Sequence, residues 1–200
     1  MDTVTAARYH VESYPTILVL KPDGTEIDRV VGYYHPAEFM GLVEDYLAGR
    51  NTLGSLIAEE ATQGKDPHFV AHLADRYYEH GLYPEAKSRY ERMMPLDPEN
   101  KTELVDDALT SLARLSRKSK DYPGERKYAQ VVLDKYPASD QAKTALLQVA
   151  DSYKREQSWT RAREKYIDYT KKYPGDEDAP WAQEQADTMT VRAERSKRGA

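Results

Sequence analysis

LADRYYEHGLYPEAKSRYERMMPLDP, residues 73–98, decides the fold. Leu73, Ala74 and Tyr77 share one helical stripe, and Ala86, Tyr90 and Met93 share another. Apolar residues three and four positions apart form one buried face of a helix. Small Ala74 and Ala86 let two such helices approach closely, and the large residues fill the space around them. The same arrangement is written twice more. One copy runs from Leu112-Ala113 to Pro137, and another from Val149-Ala150 through Tyr153, Ala162 and Tyr166 to Pro174. Ala74 to Pro98, Ala113 to Pro137 and Ala150 to Pro174 each span 24 positions. A fixed interval repeated three times predicts stacked copies of one helix pair.

The order Leu73, Ala74, Tyr77, Ala86, Tyr90 and Pro98 resembles the tetratricopeptide family, whose unit is about 34 residues. Leu146, Val149, Ala150, Tyr153, Ala162, Tyr166, Tyr169 and Pro174 resemble it equally well. The middle copy departs from the pattern. Ser116 stands where the first-helix aromatic belongs, and Glu125 and Ala129 replace the small residue and the second aromatic. The resemblance implies a mainly α fold, a tetratricopeptide-like α-solenoid over 67–200. Its repeats fall at about 67–100, 103–139 and 140–176, and a capping helix at 179–197 turns Ala182, Ala186, Met189 and Ala193 inward. It also implies a groove lined by the first helix of each pair, where a protein segment binds. Tyr78 falls there in copy one, Asp107, Thr110, Arg114, Arg117 and Lys118 in copy two, and Asp151, Lys154 and Arg155 in copy three. The five cations among them suit an acidic protein or peptide, although the same positions also fit an ordinary solvated helix face. The carboxylate clamp of some family members needs groove asparagines, and these positions hold none. The lengthened helices are similar to those of bacterial-envelope members. That implies a soluble protein of the bacterial cytoplasm or, for a longer precursor, the periplasm.

Ahead of the repeats the pattern changes. Val4, Ala7 and His10 or Val11 predict a helix over 2–10, capped by Asp2 or Thr3. Ile17-Leu18-Val19-Leu20 predicts a strand buried on both faces. Lys21-Pro22-Asp23-Gly24 is a turn, and Ile27 to Tyr33 is the returning strand. A helix follows with Pro36 in its first turn, Phe39, Leu42, Val43, Tyr46 and Leu47 on one face, and Gly49 at its end. This helix, β-hairpin, helix order, with Tyr14-Pro15-Thr16 ahead of the strand and Gly32 after the second, resembles the carboxy-terminal half of a thioredoxin domain. Residues 1–49 are thus expected to form a partial thioredoxin-like α/β unit.

The resemblance implies that Tyr14, Pro15 and Thr16 form the cis-proline loop that holds extended substrate beside the redox cysteines. No cysteine is present, so the loop reads as a structural turn. The family's first strands and its Cys-x-x-Cys would precede residue 1. Strand 17–21 then lacks a neighbour and offers an apolar edge. Three arrangements would resolve this. The chain is a truncated part of a longer one, the half domain leans on the helices, or two copies self-associate through the exposed strand 17–21; truncation is the first expectation. Residues 50–66 form a junction helix, capped by Asn51 or Thr52, with Leu53, Leu56, Ile57 and Ala61 as its apolar positions and Gly64 at its end. Asp66-Pro67 opens the next helix, and no flexible linker intervenes.

Composition narrows the function. A net charge of -5 over 200 residues gives no global attraction to nucleic acid or membrane. The absence of cysteine leaves no thiol for catalysis, disulfides or thiolate metal sites. Sixteen tyrosines against two phenylalanines suit a thin core with wet edges. His68, His72 and Asp75 line one helix face at metal-compatible spacing but lack a fourth ligand, so neither a metal nor a cofactor is expected. Arg192, Arg195, Lys197 and Arg198 read as a solvated basic end. The expected function is a non-catalytic protein–protein interaction module. The alternative is the carboxy-terminal part of a thioredoxin-like thiol-disulfide oxidoreductase or chaperone.

Overall fold

The computed structural model describes residues 3–198. These hold ten helices and one two-stranded antiparallel sheet. In chain order they are α1 (Thr3–Arg8), β1 (Thr16–Leu20), β2 (Glu26–Val31), α2 (Pro36–Leu47), α3 (Leu53–Gln63), α4 (Pro67–Glu79), α5 (Tyr83–Leu96), α6 (Val105–Lys118), α7 (Tyr122–Lys135), α8 (Gln141–Arg155), α9 (Trp159–Lys172) and α10 (Ala179–Arg198). The chain divides into two compact units after Asp97. Of the two foreseen caps, Asp2 lies outside the described residues, and Thr3 is the first residue of α1 itself.

In the amino-terminal unit the hairpin forms where the sequence places it. Thr16 pairs with Val31, Ile17 with Val30 and Val19 with Asp28. Gly24 closes the turn at φ +83°, where a side chain would be strained, and the Asp23 carboxylate accepts from the Thr25 N–H at 2.8 Å. The Tyr14–Pro15 bond is cis. Val19, Val30 and Tyr46 form a small core with Phe39, Leu42 and Val43 of α2.

Strand β1 is not buried on both faces. Ile17 is 42% exposed and Leu20 38%, because α2 covers only one side of a sheet two strands wide. Leu47 is exposed in the last turn of α2, at the end of its packed stripe. Ile57 and Ala61 of α3 are exposed as well, since only Leu53 and Leu56 turn inward. Val4, Ala7 and His10 are also exposed, so α1 buries no apolar stripe there. Thr52 caps α3 by accepting from the Ser55 N–H at 3.1 Å, and Asp66 caps α4 by accepting from the His68 N–H at 3.0 Å.

A buried ionic network joins the hairpin to α3 and α4. Asp28 of β2 is 0% exposed. Its Oδ1 accepts from the Arg29 N–H at 2.7 Å and from the Arg76 guanidinium, and lies 2.8 Å from His80 Nε2. Its Oδ2 accepts from the Leu53 N–H at 2.6 Å. Arg76 also donates to the Arg29 carbonyl at 3.2 Å, pairs with Glu79 and stacks 5.2 Å from the Tyr46 ring. Arg29 bridges Glu26 at 2.7 Å and the Tyr9 carbonyl at 2.9 Å. Through these contacts the hairpin leans on α3 and α4. The same contacts explain why the first helix pair, α4–α5, falls in the amino-terminal unit.

The carboxy-terminal unit packs α6 on α7, α7 on α8, α8 on α9 and α9 on α10. Helices α7 and α9 end at Lys135 and Lys172, just before Tyr136-Pro137 and Tyr173-Pro174, as the restriction on residues preceding proline dictates. Leu146, Ala150, Ala162, Tyr166 and Tyr169 make one core with Ala182, Ala186 and Met189 of α10. Helix α10 thus covers the apolar face that α9 would otherwise expose.

Candidate interaction surface

The cationic positions of the carboxy-terminal unit sit on α6 and α8, which touch directly. Gln148 of α8 donates to the Thr110 carbonyl of α6 at 3.0 Å. Arg114 and Arg117 of α6 and Lys154 of α8 are partly exposed, and Lys118 and Arg155 are exposed. Lys154 is held by Gln185 of α10 at 2.7 Å. The guanidinium groups of Arg117 and Arg155 have no hydrogen-bond or ion-pair partner among the described residues. Thr110, foreseen as a surface position, is buried, because its side chain turns back to the Asp107 carbonyl at 2.9 Å. Tyr78 lies in the amino-terminal unit, partly exposed, with its ring 5.4 Å from that of Tyr83. Tyr14 is exposed, and Pro15 and Thr16 are partly exposed. Thr16 Oγ1 donates to the Ser13 carbonyl at 2.8 Å, within the turn itself.

Two of the three helix pairs share a clasp that the helical pattern does not announce. Tyr90 of α5 donates to Asp75 of α4 at 2.6 Å, and Tyr166 of α9 donates to Asp151 of α8. Each aspartate directly follows the small Ala74 or Ala150, and each tyrosine lies fifteen positions on. Tyr90 is buried while Asp75 is exposed, so Asp75 regains water when its donor is lost. Tyr90→Phe is therefore expected to cost about 1 kcal/mol in urea unfolding.

The middle pair keeps the interval but not the clasp. Arg114 stands at the aspartate position and Ala129 at the tyrosine position. Ser116 replaces the first-helix tyrosine, and Glu125 replaces the small residue. Two rings and the clasp carboxylate are thereby lost, and a carboxylate is gained at the small-residue position. Glu125 is 0% exposed, and neither of its carboxylate oxygens has a hydrogen-bond partner among the described residues. Burial pushes this carboxyl up to about 7, against the pull of Arg117, Arg155 and Arg126 and with a smaller push from Asp151. Arg126 is itself occupied by Glu156 at 2.7 Å and lies 4.4 Å from the Tyr153 ring. Ser116, Glu125 and Ala129 are recognisable in the sequence as departures. That a glutamate at the alanine position is wholly buried follows only from the packing of α6, α7 and α8.

Two other clusters compare less well as sites. Asp28, His80 and Arg76 have the composition of a catalytic constellation, but they satisfy one another inside the amino-terminal unit. Burial pushes the Asp28 carboxyl up; the His80 hydrogen bond, the Arg76 charge and two backbone N–H groups outweigh it and hold the carboxyl below its ordinary value. Among the described residues, no group of three or more histidine, aspartate or glutamate side chains is placed to hold a metal. Asp75 of the foreseen His68, His72, Asp75 stripe is bound by Tyr90 instead. No helix of the described residues is long and apolar enough to cross a membrane. No family model and no curated protein sequence matches the chain.

Proposed function

We propose that this chain is a non-catalytic protein-interaction module of tetratricopeptide type, in which α6 and α8 receive an acidic segment of a partner protein. The observation that carries the reading is the pair Arg117 and Arg155. These are two guanidinium groups on packed helices, without ion-pair partners of their own among the described residues. Arginine forks match carboxylates bidentately, and desolvating them on a partner gives both affinity and orientation. Arg114, Lys118 and Lys154 extend the cationic strip along the same two helices. The twice-repeated Asp–Tyr clasp supports the tetratricopeptide assignment, since it ties the two helices of α4–α5 and of α8–α9 in the same way.

The test is charge reversal. Arg114→Glu, Arg117→Glu and Arg155→Glu, combined in the full chain, are expected to weaken capture of a fluorescent oligo-aspartate peptide by about tenfold or more. Equal binding by the variant and the parent would remove the reading.

A second reading makes the chain the carboxy-terminal part of a thioredoxin-like thiol-disulfide oxidoreductase or chaperone, with the helix pairs as its client-binding part. Exposed Tyr14, Ile17 and Leu20, on and just before a strand whose second edge has no partner among the described residues, favour it. An in-frame strand and Cys-x-x-Cys encoded ahead of Met1 would support this second reading, and a stop codon there would end it.

A further inference from the structure

We infer that docking of an acidic segment at Arg117 and Arg155 is coupled to proton uptake by the buried carboxyl of Glu125. The inference rests on the proposed role of these two arginines and adds a regulation to it. Glu125 lies on α7, which packs against both α6 and α8. The charges that face it come from all three helices: Arg117 from α6, Arg126 from α7 itself, and Arg155 and Asp151 from α8. Asp151 opposes the arginines and is held in place by the Tyr166 hydroxyl. With no hydrogen bond to either oxygen among the described residues, the ionised form of Glu125 is stabilised by the field of those arginines.

An acidic partner brings carboxylates to the same two guanidinium groups and cancels part of that field. The Glu125 carboxylate then loses its compensation and binds a proton more tightly. Linkage makes the effect reciprocal: a neutral Glu125 leaves Arg117 and Arg155 wholly to the partner, and an ionised one competes for them. The affinity for an acidic segment therefore falls as pH rises through the titration of Glu125. Burial places that titration near neutrality. All five histidines of the chain, His10, His35, His68, His72 and His80, lie in the other unit.

The probe is an oligo-aspartate peptide, whose own charge is constant above about pH 6. It is titrated into the full-length chain by fluorescence anisotropy from about pH 6 to about pH 8.5. The parent protein is expected to lose about fivefold in affinity across that range. Glu125→Gln, and Glu125→Ala, which restores the residue of the other two copies, are expected to hold the acid-side affinity throughout. Thermal unfolding of both variants confirms that they are folded. Peptide binding that depends on Arg117 and Arg155 but has the same pH slope in parent and variants overturns the coupling and leaves the interaction surface standing. Absence of peptide binding at every pH overturns both.

Discussion

Replacing Asp28 with alanine is expected to cost the amino-terminal unit about 3–5 kcal/mol, the range found when one partner of a buried ion pair is removed. Asp28 is the acceptor on which four donors converge: the Arg29 and Leu53 N–H groups, the Arg76 guanidinium and the His80 ring. Without it Arg76, itself buried, keeps its charge and loses its main counter-ion. Single domains hold only about 5–15 kcal/mol in all, so the variant sits close to its unfolding threshold. The Asp28 carboxyl is held below its ordinary value in the folded chain. Its contribution is therefore present above the unfolded value, about pH 4, and is lost as pH falls below that. Hydrogen exchange at the amides of β2 and α4 reads the loss locally. Protection that survives Asp28→Ala unchanged would mean that the hairpin does not lean on α4.

Glu125→Gln is expected to act in the opposite direction and stabilise the carboxy-terminal unit. The folded-state value of about 7 lies above the ordinary carboxylate value of 4.5, so the folded chain holds the proton more tightly than the unfolded one. The stability this carboxyl contributes is complete below about pH 4.5 and is lost as pH rises through about 7. Glutamine mimics the neutral acid and does not titrate. The variant is thus expected to match the parent near pH 4.5 and to exceed it by about 3 kcal/mol at pH 8.5. Both tryptophans, Trp159 and Trp181, lie in this unit, so urea unfolding followed by tryptophan fluorescence reports it directly. A variant less stable than the parent at pH 8.5 would show that the carboxylate is compensated in a way its unpartnered oxygens do not reveal.

The helix pairs were legible in the sequence because small and large residues recur at fixed intervals and prolines end the second helices. Tyr136-Pro137 and Tyr173-Pro174 mark the ends of α7 and α9 to within a residue. The hairpin was legible from Pro22-Asp23-Gly24 and the apolar runs beside it. What stayed hidden was pairing over long sequence separations. Nothing local to Asp28 and Arg29 signals burial, and only Arg76 and His80, about fifty positions on, turn them into an interior network. The same lack of distant partners made β1 read as buried on both faces, since four apolar residues in a row do not say how many layers cover them. The cationic positions of α6 and α8 were singled out by what the tetratricopeptide resemblance implies about the first helix of each pair. The lack of hydrogen-bond and ion-pair partners at Arg117 and Arg155 among the described residues, and the engagement of Lys154 by Gln185, required side-chain geometry.

In the proposed function, α6 and α8, the first helices of the two pairs of the carboxy-terminal unit, form a docking face for an acidic segment. Backbone amide shifts of the isotope-labelled chain during titration with an oligo-aspartate peptide test it most directly. The expected result is saturable shifts confined to the α6 and α8 segments around Arg114, Arg117, Lys118, Lys154 and Arg155. Shifts centred instead on Tyr14, the β1 edge or α2, or no saturable shift anywhere, would contradict it.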